Sequence, residues 1–295
     1  MAARAAALVA LFAVVLFVVS AITFDGDASS GGTNSPETPG FIYVRNSTEL
    51  MIVDNSSQAP VEFDLLDALR GDASRFVESI EPIDSRQAFV GVCCEPVDGR
   101  QLLVDLDDGS VEFFPFTVRF PSASVDGARY VGGGSTVTPN NLGAVLAYEN
   151  GVGVVEPGSD LLVRDDGVAF RPVLLPDDRI AVVDVDGTLI VIDADGETLA
   201  RSAMDLALFD FDEQNHMIVA IEDADVVLLE IDSLSEVARF AAGLASESLV
   251  VQIDVHDGWA LFTLEDGSLH AAPVSAEVAE SQLLATDVET AAWLR

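Results

Sequence analysis

RIAVVDVDGTLIVIDADGETLAR, residues 179–201, decides how this chain folds. An apolar run is followed by an acidic turn, a second apolar run, a polar turn and a third, weaker run. The same order returns in HMIVAIEDADVVLLEIDSLSEVARF (216–240) and GWALFTLEDGSLHAAPVSAEVAES (258–281). Short runs rich in Val, Ile and Leu, closed by tight acidic turns, read as strands joined in hairpins. Such a unit cannot bury its own apolar faces and must stack on neighbours, which predicts a repeat architecture.

Turn chemistry at 45–48, 96–100 and 149–151 carries the series back to Phe41. The apolar runs after the turns begin near Leu50, Leu102, Val152, Leu189, Val226 and Leu269, about 37 to 52 residues apart. That spacing matches the allotment of a four-stranded propeller blade. The expected fold is all-β: a β-propeller of about six four-stranded blades over residues 41–295. One N-terminal apolar helix and a flexible linker should precede it. A β-sandwich pair or a large barrel would show similar strands and turns, without requiring like units at like spacing. Residues 113–140 look like a long outer strand or an inter-blade loop, and 65–79 leave room for a helical turn.

The pattern resembles the broad β-propeller superfamily of TolB-like, YVTN-like and WD-repeat-like exported proteins. The resemblance covers residues 41–295 and rests on repeat length and hairpin order. The Trp-Asp dipeptide is absent, since neither Trp259 nor Trp293 precedes Asp. No functional residue is therefore carried over. The resemblance implies a binding surface built from loops at one end of a central channel.

Residues 5–24 (AAALVALFAVVLFVVSAITF) are uncharged and apolar. As a helix they span about 30 Å, the thickness of a bilayer core. Arg4 before them and Asp25 and Asp27 after them place the N-terminus inside. Residues 1–24 thus read as a signal anchor; a signal peptide cleaved after the small residues Val19-Ser20-Ala21 fits equally. Either way the rest of the chain is expected outside the cytoplasm, tethered to the membrane or secreted. Residues 25–40 are Gly, Ser, Thr, Pro, Asn and acid, the composition of a flexible linker.

Fifty Asp and Glu face 14 basic residues, all Arg, for a net charge of -36 over 295 residues. Such a surface repels phosphate backbones and argues against nucleic-acid binding. It also suits a salty milieu, where counter-ions screen the self-repulsion. With 49% hydrophobic residues the chain still has ample material for a core.

Several local motifs carry chemistry elsewhere. Asp184-Val185-Asp186-Gly187-Thr188 matches the first motif of haloacid-dehalogenase-type phosphatases, whose first Asp is a nucleophile. Here it occupies a hairpin turn, and no lysine exists to steady a phosphoaspartate. The acidic turns around Asp105 and Asp107, and around Asp193 and Asp195, offer hard oxygens suited to Ca²⁺, though neither completes a calcium-loop pattern. Cys93 and Cys94 are the only cysteines. In an oxidising compartment they can pair within the chain only with each other, as a vicinal disulfide, or remain two buried small hydrophobes. His216, His256 and His270 are dispersed, with no zinc spacing. A P-loop is excluded by the missing lysine.

No catalytic residue is assigned, and no cofactor beyond a possible Ca²⁺. The expectation is a binding or scaffold module for an unknown protein or small-molecule ligand. The alternative is a lactonase-like propeller hydrolase with a divalent metal in the channel, assembled from single residues of several blades.

Overall fold

The computed structural model describes residues 38–54, 60–65, 76–92, 101–113, 119–123, 130–134, 151–156, 159–164, 170–184, 187–206, 208–245, 248–275 and 281–295. Residues 5–24, most of the linker and the pair Cys93 and Cys94 lie outside them. Among the described residues there is no α-helix, only a 3₁₀ turn at Pro176–Asp178, and no helix long and apolar enough to cross a membrane.

The strands follow the chain in order. First come β1 (Phe41–Arg45), β2 (Glu49–Val53) and β3 (Val61–Asp64). The next sheet comprises β4 (Val77–Pro82), β5 (Gln87–Val92), β6 (Gln101–Asp105) and β7 (Val111–Phe113). Another holds β8 (Arg119–Ala123), β9 (Tyr130–Gly134), β10 (Gly151–Glu156) and β11 (Ser159–Arg164). β12 (Phe170–Leu174), β13 (Ile180–Val183), β14 (Thr188–Ile192) and β15 (Thr198–Asp205) form the fourth. β16 (Leu208–Asp212), β17 (Met217–Glu222), β18 (Asp225–Glu230) and β19 (Glu236–Ala241) form the fifth. β20 (Val250–His256), β21 (Trp259–Leu264), β22 (Leu269–Pro273) and β23 (Gln282–Ala285) form the last complete set. β24 (Thr290–Trp293) returns to the start of the chain and completes the first sheet in the order β24-β1-β2-β3. Every described pairing is antiparallel, as hairpin connections require.

The middle strands show why the sequence reads as continuous apolar runs. Along β13 and β14, Ala181, Val183, Leu189 and Val191 face one neighbouring sheet, where they pack with Phe209, Ile218 and Val227. Ile180, Val182, Ile190 and Ile192 face the other way, with Leu174. Side chains alternate faces along a strand. Both faces are covered by stacked sheets, so both must be apolar. Each buried Val, Leu, Ile or Phe among them contributes about 1.5–3 kcal/mol by leaving water. The outermost strands pack on one side only: β19 alternates exposed residues with Phe240, which explains the weaker third run.

The turns follow their residues. Asp257 and Gly258 both adopt positive φ, 49° and 72°, the geometry of a two-residue type I′ hairpin, and Asp-Gly is suited to it. Gly187 and Gly267, both at φ 80°, close the longer acidic turns; at Gly187 its N–H donates to the Asp184 carbonyl at 2.9 Å.

One expectation changes. Within residues 113–140 the described residues 119–123 and 130–134 form β8 and β9, two strands of their own sheet and not one long outer strand. Pro121 in β8 and the glycine run in β9 gave them the composition of a connection. Of the stretch 65–79, residues 77–79 belong to β4, with the sequence VESIEP, and residues 66–75 lie outside the described residues.

The first strand of each set lies innermost, and in the first sheet that strand is β24. Successive inner strands touch in a closed circuit: β24 with β4, β4 with β8, β8 with β12, β12 with β16, β16 with β20, and β20 with β24. Closure depends on β24 pairing with β1, Phe41 opposite Trp293 and Val44 opposite Thr290. The first and last described strands thus share one sheet.

Candidate functional site

Three inner strands carry an acid at the same register. Glu81 in β4, Asp210 in β16 and Asp254 in β20 each stand opposite the third residue of the following strand: Phe89, Val219 and Leu261. All three are buried, at 8%, 7% and 6% exposure. They line a cavity of about 60 Å³ that Ser122, Pro172 and Gln252 share. Arg295 reaches in among them, with Nη1 3.4 Å from Glu81 Oε1 and Nη2 3.8 Å from Asp254 Oδ1. Its Nε is buried without a hydrogen-bond partner.

The electrostatics follow from that crowding. Burial pushes the Asp210 carboxyl well above the usual carboxylate range; the charge of Asp254 adds to this, Arg295 opposes it, and Glu81 adds again. Burial works against the charge on Arg295, but Glu81, Asp254 and Asp210 outweigh it and hold the guanidinium more firmly protonated than usual.

These side chains also tie the inner strands together. Asp210 Oδ2 accepts the Val255 N–H at 2.6 Å, and Asp254 Oδ2 accepts the Trp293 N–H at 2.7 Å. Gln252 does the same with its amide: Nε2 donates to the Ala291 carbonyl at 2.9 Å, and Oε1 accepts from the Thr290 hydroxyl at 2.8 Å. On another pair of inner strands the Ser122 hydroxyl accepts the Leu174 N–H at 3.4 Å. An inner strand has no strand partner on its central side, so side-chain acceptors there satisfy backbone groups that would otherwise be buried unpaired.

The residues singled out from sequence fall elsewhere. Asp105 Oδ1 accepts the Asp107 N–H at 2.9 Å, and Asp193 Oδ1 accepts the N–H groups of Asp195 and Glu197 at 3.0 and 2.9 Å. They fasten their own turns and are not brought together. Asp184 sits in the β13–β14 hairpin, its Oδ2 2.6 Å from Arg201 Nη2, among antiparallel strands where a phosphatase site needs parallel ones. His216 precedes β17, His256 ends β20 and His270 lies in β22. Among the described residues no three His, Cys, Asp or Glu cluster as a metal site. The central acids come from three separate sheets and form no local motif. The signal that could have revealed them is an acid shortly before each hairpin, as in LFDFD and VVQIDVH.

A second feature lies at the end where β1 turns into β2 and β21 into β22. A groove of about 720 Å³ runs there between Ser47, the start of β4 (Phe76 to Glu78), Val251, the Glu265–Gly267 turn and residues 287–289. Its walls are laced by backbone bonds: Val77 N–H to the Ser47 carbonyl at 3.0 Å, Val288 N–H to the Gly267 carbonyl at 2.9 Å, and Glu265 N–H to the Leu249 carbonyl at 2.9 Å.

No family model matches the sequence, and neither does any curated protein. Solved structures do match. One is a protein of unknown function from Bacteroides caccae, 13% identical, with TM-score 0.53 over 88% of this chain and 100% of that one. Another is the β-propeller domain of Cps50 (Swd1) from Myceliophteria thermophila, 12% identical, with TM-score 0.52 over 87% and 89%. A third comes from the mitotic checkpoint complex, 11% identical, with TM-score 0.53 over 92% of each chain. The likeness is one of fold: the chain is a β-propeller, built of repeated four-stranded antiparallel sheets.

Proposed function

We propose that this chain is an exported, membrane-tethered propeller of six blades that binds another protein. The repeated four-stranded sheets support that blade count, and the apolar stretch 5–24, flanked by Arg4 and by Asp25 and Asp27, supports a tether with the N-terminus inside. One observation carries the binding reading. The central cavity of about 60 Å³ is small and tied up by its own side chains, whereas the groove of about 720 Å³ has the size of a ligand site. That one similar propeller comes from a multi-protein complex agrees with this use of the fold. The reading requires no cofactor.

A metal-dependent hydrolase is the weaker reading. Three carboxylates do converge on the centre, but Arg295 holds a fixed cation between Glu81 and Asp254, where a divalent ion would have to sit.

The test is photo-crosslinking in the source cells, with a benzoylphenylalanine at Leu249 beside the groove and another at Leu199 on an outer strand. A discrete protein adduct from Leu249 alone, removed by protease added outside intact cells, is the expected result. Equal adducts from both positions, or protection of the adduct from external protease, would count against it.

A further inference from the structure

The geometry points to a partner for the groove between β1, β4 and the β21–β22 turn: a polypeptide segment carrying Arg or Lys beside an apolar side chain. This rests on the protein-binding reading above.

Two independent features select that chemistry. The first is apolar. Seven large hydrophobic residues are exposed among those described, and four of them stand singly on outer strands: Val61, Leu199, Val237 and Leu283. Two of the other three line this groove, Phe76 at 38% and Val251 at 36%, and the third, Leu249 at 57%, lies two residues before Val251 with its backbone carbonyl bound to the Glu265 N–H. Scattered exposed apolar residues need no explanation, but a concentration bordering a concave surface marks an interaction site.

The second is charge. Among the described residues Glu78, Glu265, Asp266, Asp287 and Glu289 line the groove, and no basic residue does. The Ser268 hydroxyl and N–H bind the Asp266 carboxylate and hold it below the usual range, so it stays ionised. A cationic side chain would meet carboxylates while its apolar neighbour covers Phe76 and Val251. Residues 25–37 are a poor occupant, with three acids and no base, and so is a second copy, which brings a net charge of -36. The shared backbone bonds fix the walls in advance, which limits the ordering cost of binding. In a salty medium only contact pairs stay unscreened, so affinity should rest on the apolar anchor and selectivity on the charges.

The test selects a random dodecapeptide library on the full-length chain in detergent and measures the enriched peptides by fluorescence anisotropy. Enriched sequences should place Arg or Lys next to Leu, Phe or Trp. The double variant Glu265→Arg/Asp287→Asn should weaken them by about tenfold, and Phe76→Ser by roughly fivefold. The matched variant Asp195→Asn/Glu197→Arg, with the same charge change on exposed residues of another turn, should leave affinity unchanged. Asn is chosen at Asp287 because the φ there is 61°, which Asn tolerates. Enriched peptides lacking a basic-apolar pattern, or bound equally by the groove variant, or weakened equally by the matched variant, overturn this assignment while leaving a binding module. A library that returns no binder overturns both.

Discussion

The Asp254 carboxylate accepts the Trp293 backbone N–H at 2.7 Å, joining β20 to the strand that closes the ring. Asp254 is also one of the two carboxylates beside the Arg295 guanidinium. Removing it leaves a buried N–H unsatisfied and strips a buried cation of a partner. Asp254→Ala should therefore cost about 3–5 kcal/mol in urea unfolding, within the range for breaking a buried pair. Asp254→Asn keeps the acceptor and loses only the charge, so it should cost clearly less. An alanine variant within about 1 kcal/mol of the parent would show that this contact does not hold the ring shut.

Asp210 gives the fold a pH dependence of unusual sign. Its folded carboxyl titrates well above the usual carboxylate range, chiefly through burial and the nearby Asp254. Between the ordinary value and the raised one, the unfolded chain has released the proton and the folded chain still holds it. Stability therefore falls as pH rises through that window and is flat below it. Asp210→Asn removes the titration while its amide oxygen can still accept the Val255 N–H. The stability of this variant relative to the parent should rise by at least about 1 kcal/mol from about pH 4 to about pH 8. Acids away from this cluster titrate alike in both proteins and cancel in the difference. A constant difference, or one moving the other way, would contradict the buried placement of this carboxyl.

The hairpins were legible because β13, β14, β17 and β21 are apolar on both faces and end in turn residues that admit positive φ. The inner strands were not. LFDFD and VVQIDVH look like weak strands because their central side carries acids that accept backbone N–H groups from the neighbouring inner strand. An acid on a central strand is invisible to hydropathy, since its partner lies in another sheet. Ring closure was equally hidden: TAAW is four residues long, and its pairing with Phe41 to Val44 joins the last described strand to the first. The groove residues come from three sheets, and what marks Phe76 and Val251 is exposure, which sequence does not report.

Trp293 is fully buried and meets the Phe41 ring edge-on at a centroid distance of 6.3 Å, while its indole N–H donates to the Trp259 carbonyl at 3.1 Å. It thus fixes β24 against β1 and β21 together. Trp293→Ala should cost about 3–5 kcal/mol. Trp293→Phe fills much of the space but leaves the Trp259 carbonyl without its donor, so it should cost about 1–3 kcal/mol. If both variants unfold at the urea concentration of the parent, β24 contributes little to stability.

Salt should act on the surface and leave the centre alone. With a net charge of -36, like charges crowd the outer strands and turns, and at low ionic strength they repel over about 30 Å. In molar NaCl that range falls to about 3 Å, so the melting temperature should rise by roughly 5–15 °C. KCl should match NaCl, and equimolar sucrose should fall well short, because screening needs ions. The buried tie between Asp254 and Trp293 is shielded from solvent, so the cost of Asp254→Ala should be the same in low and molar salt. A melting temperature indifferent to salt would remove self-repulsion as a force on this fold. A mutational cost that shrinks with salt would instead place Asp254 within reach of water.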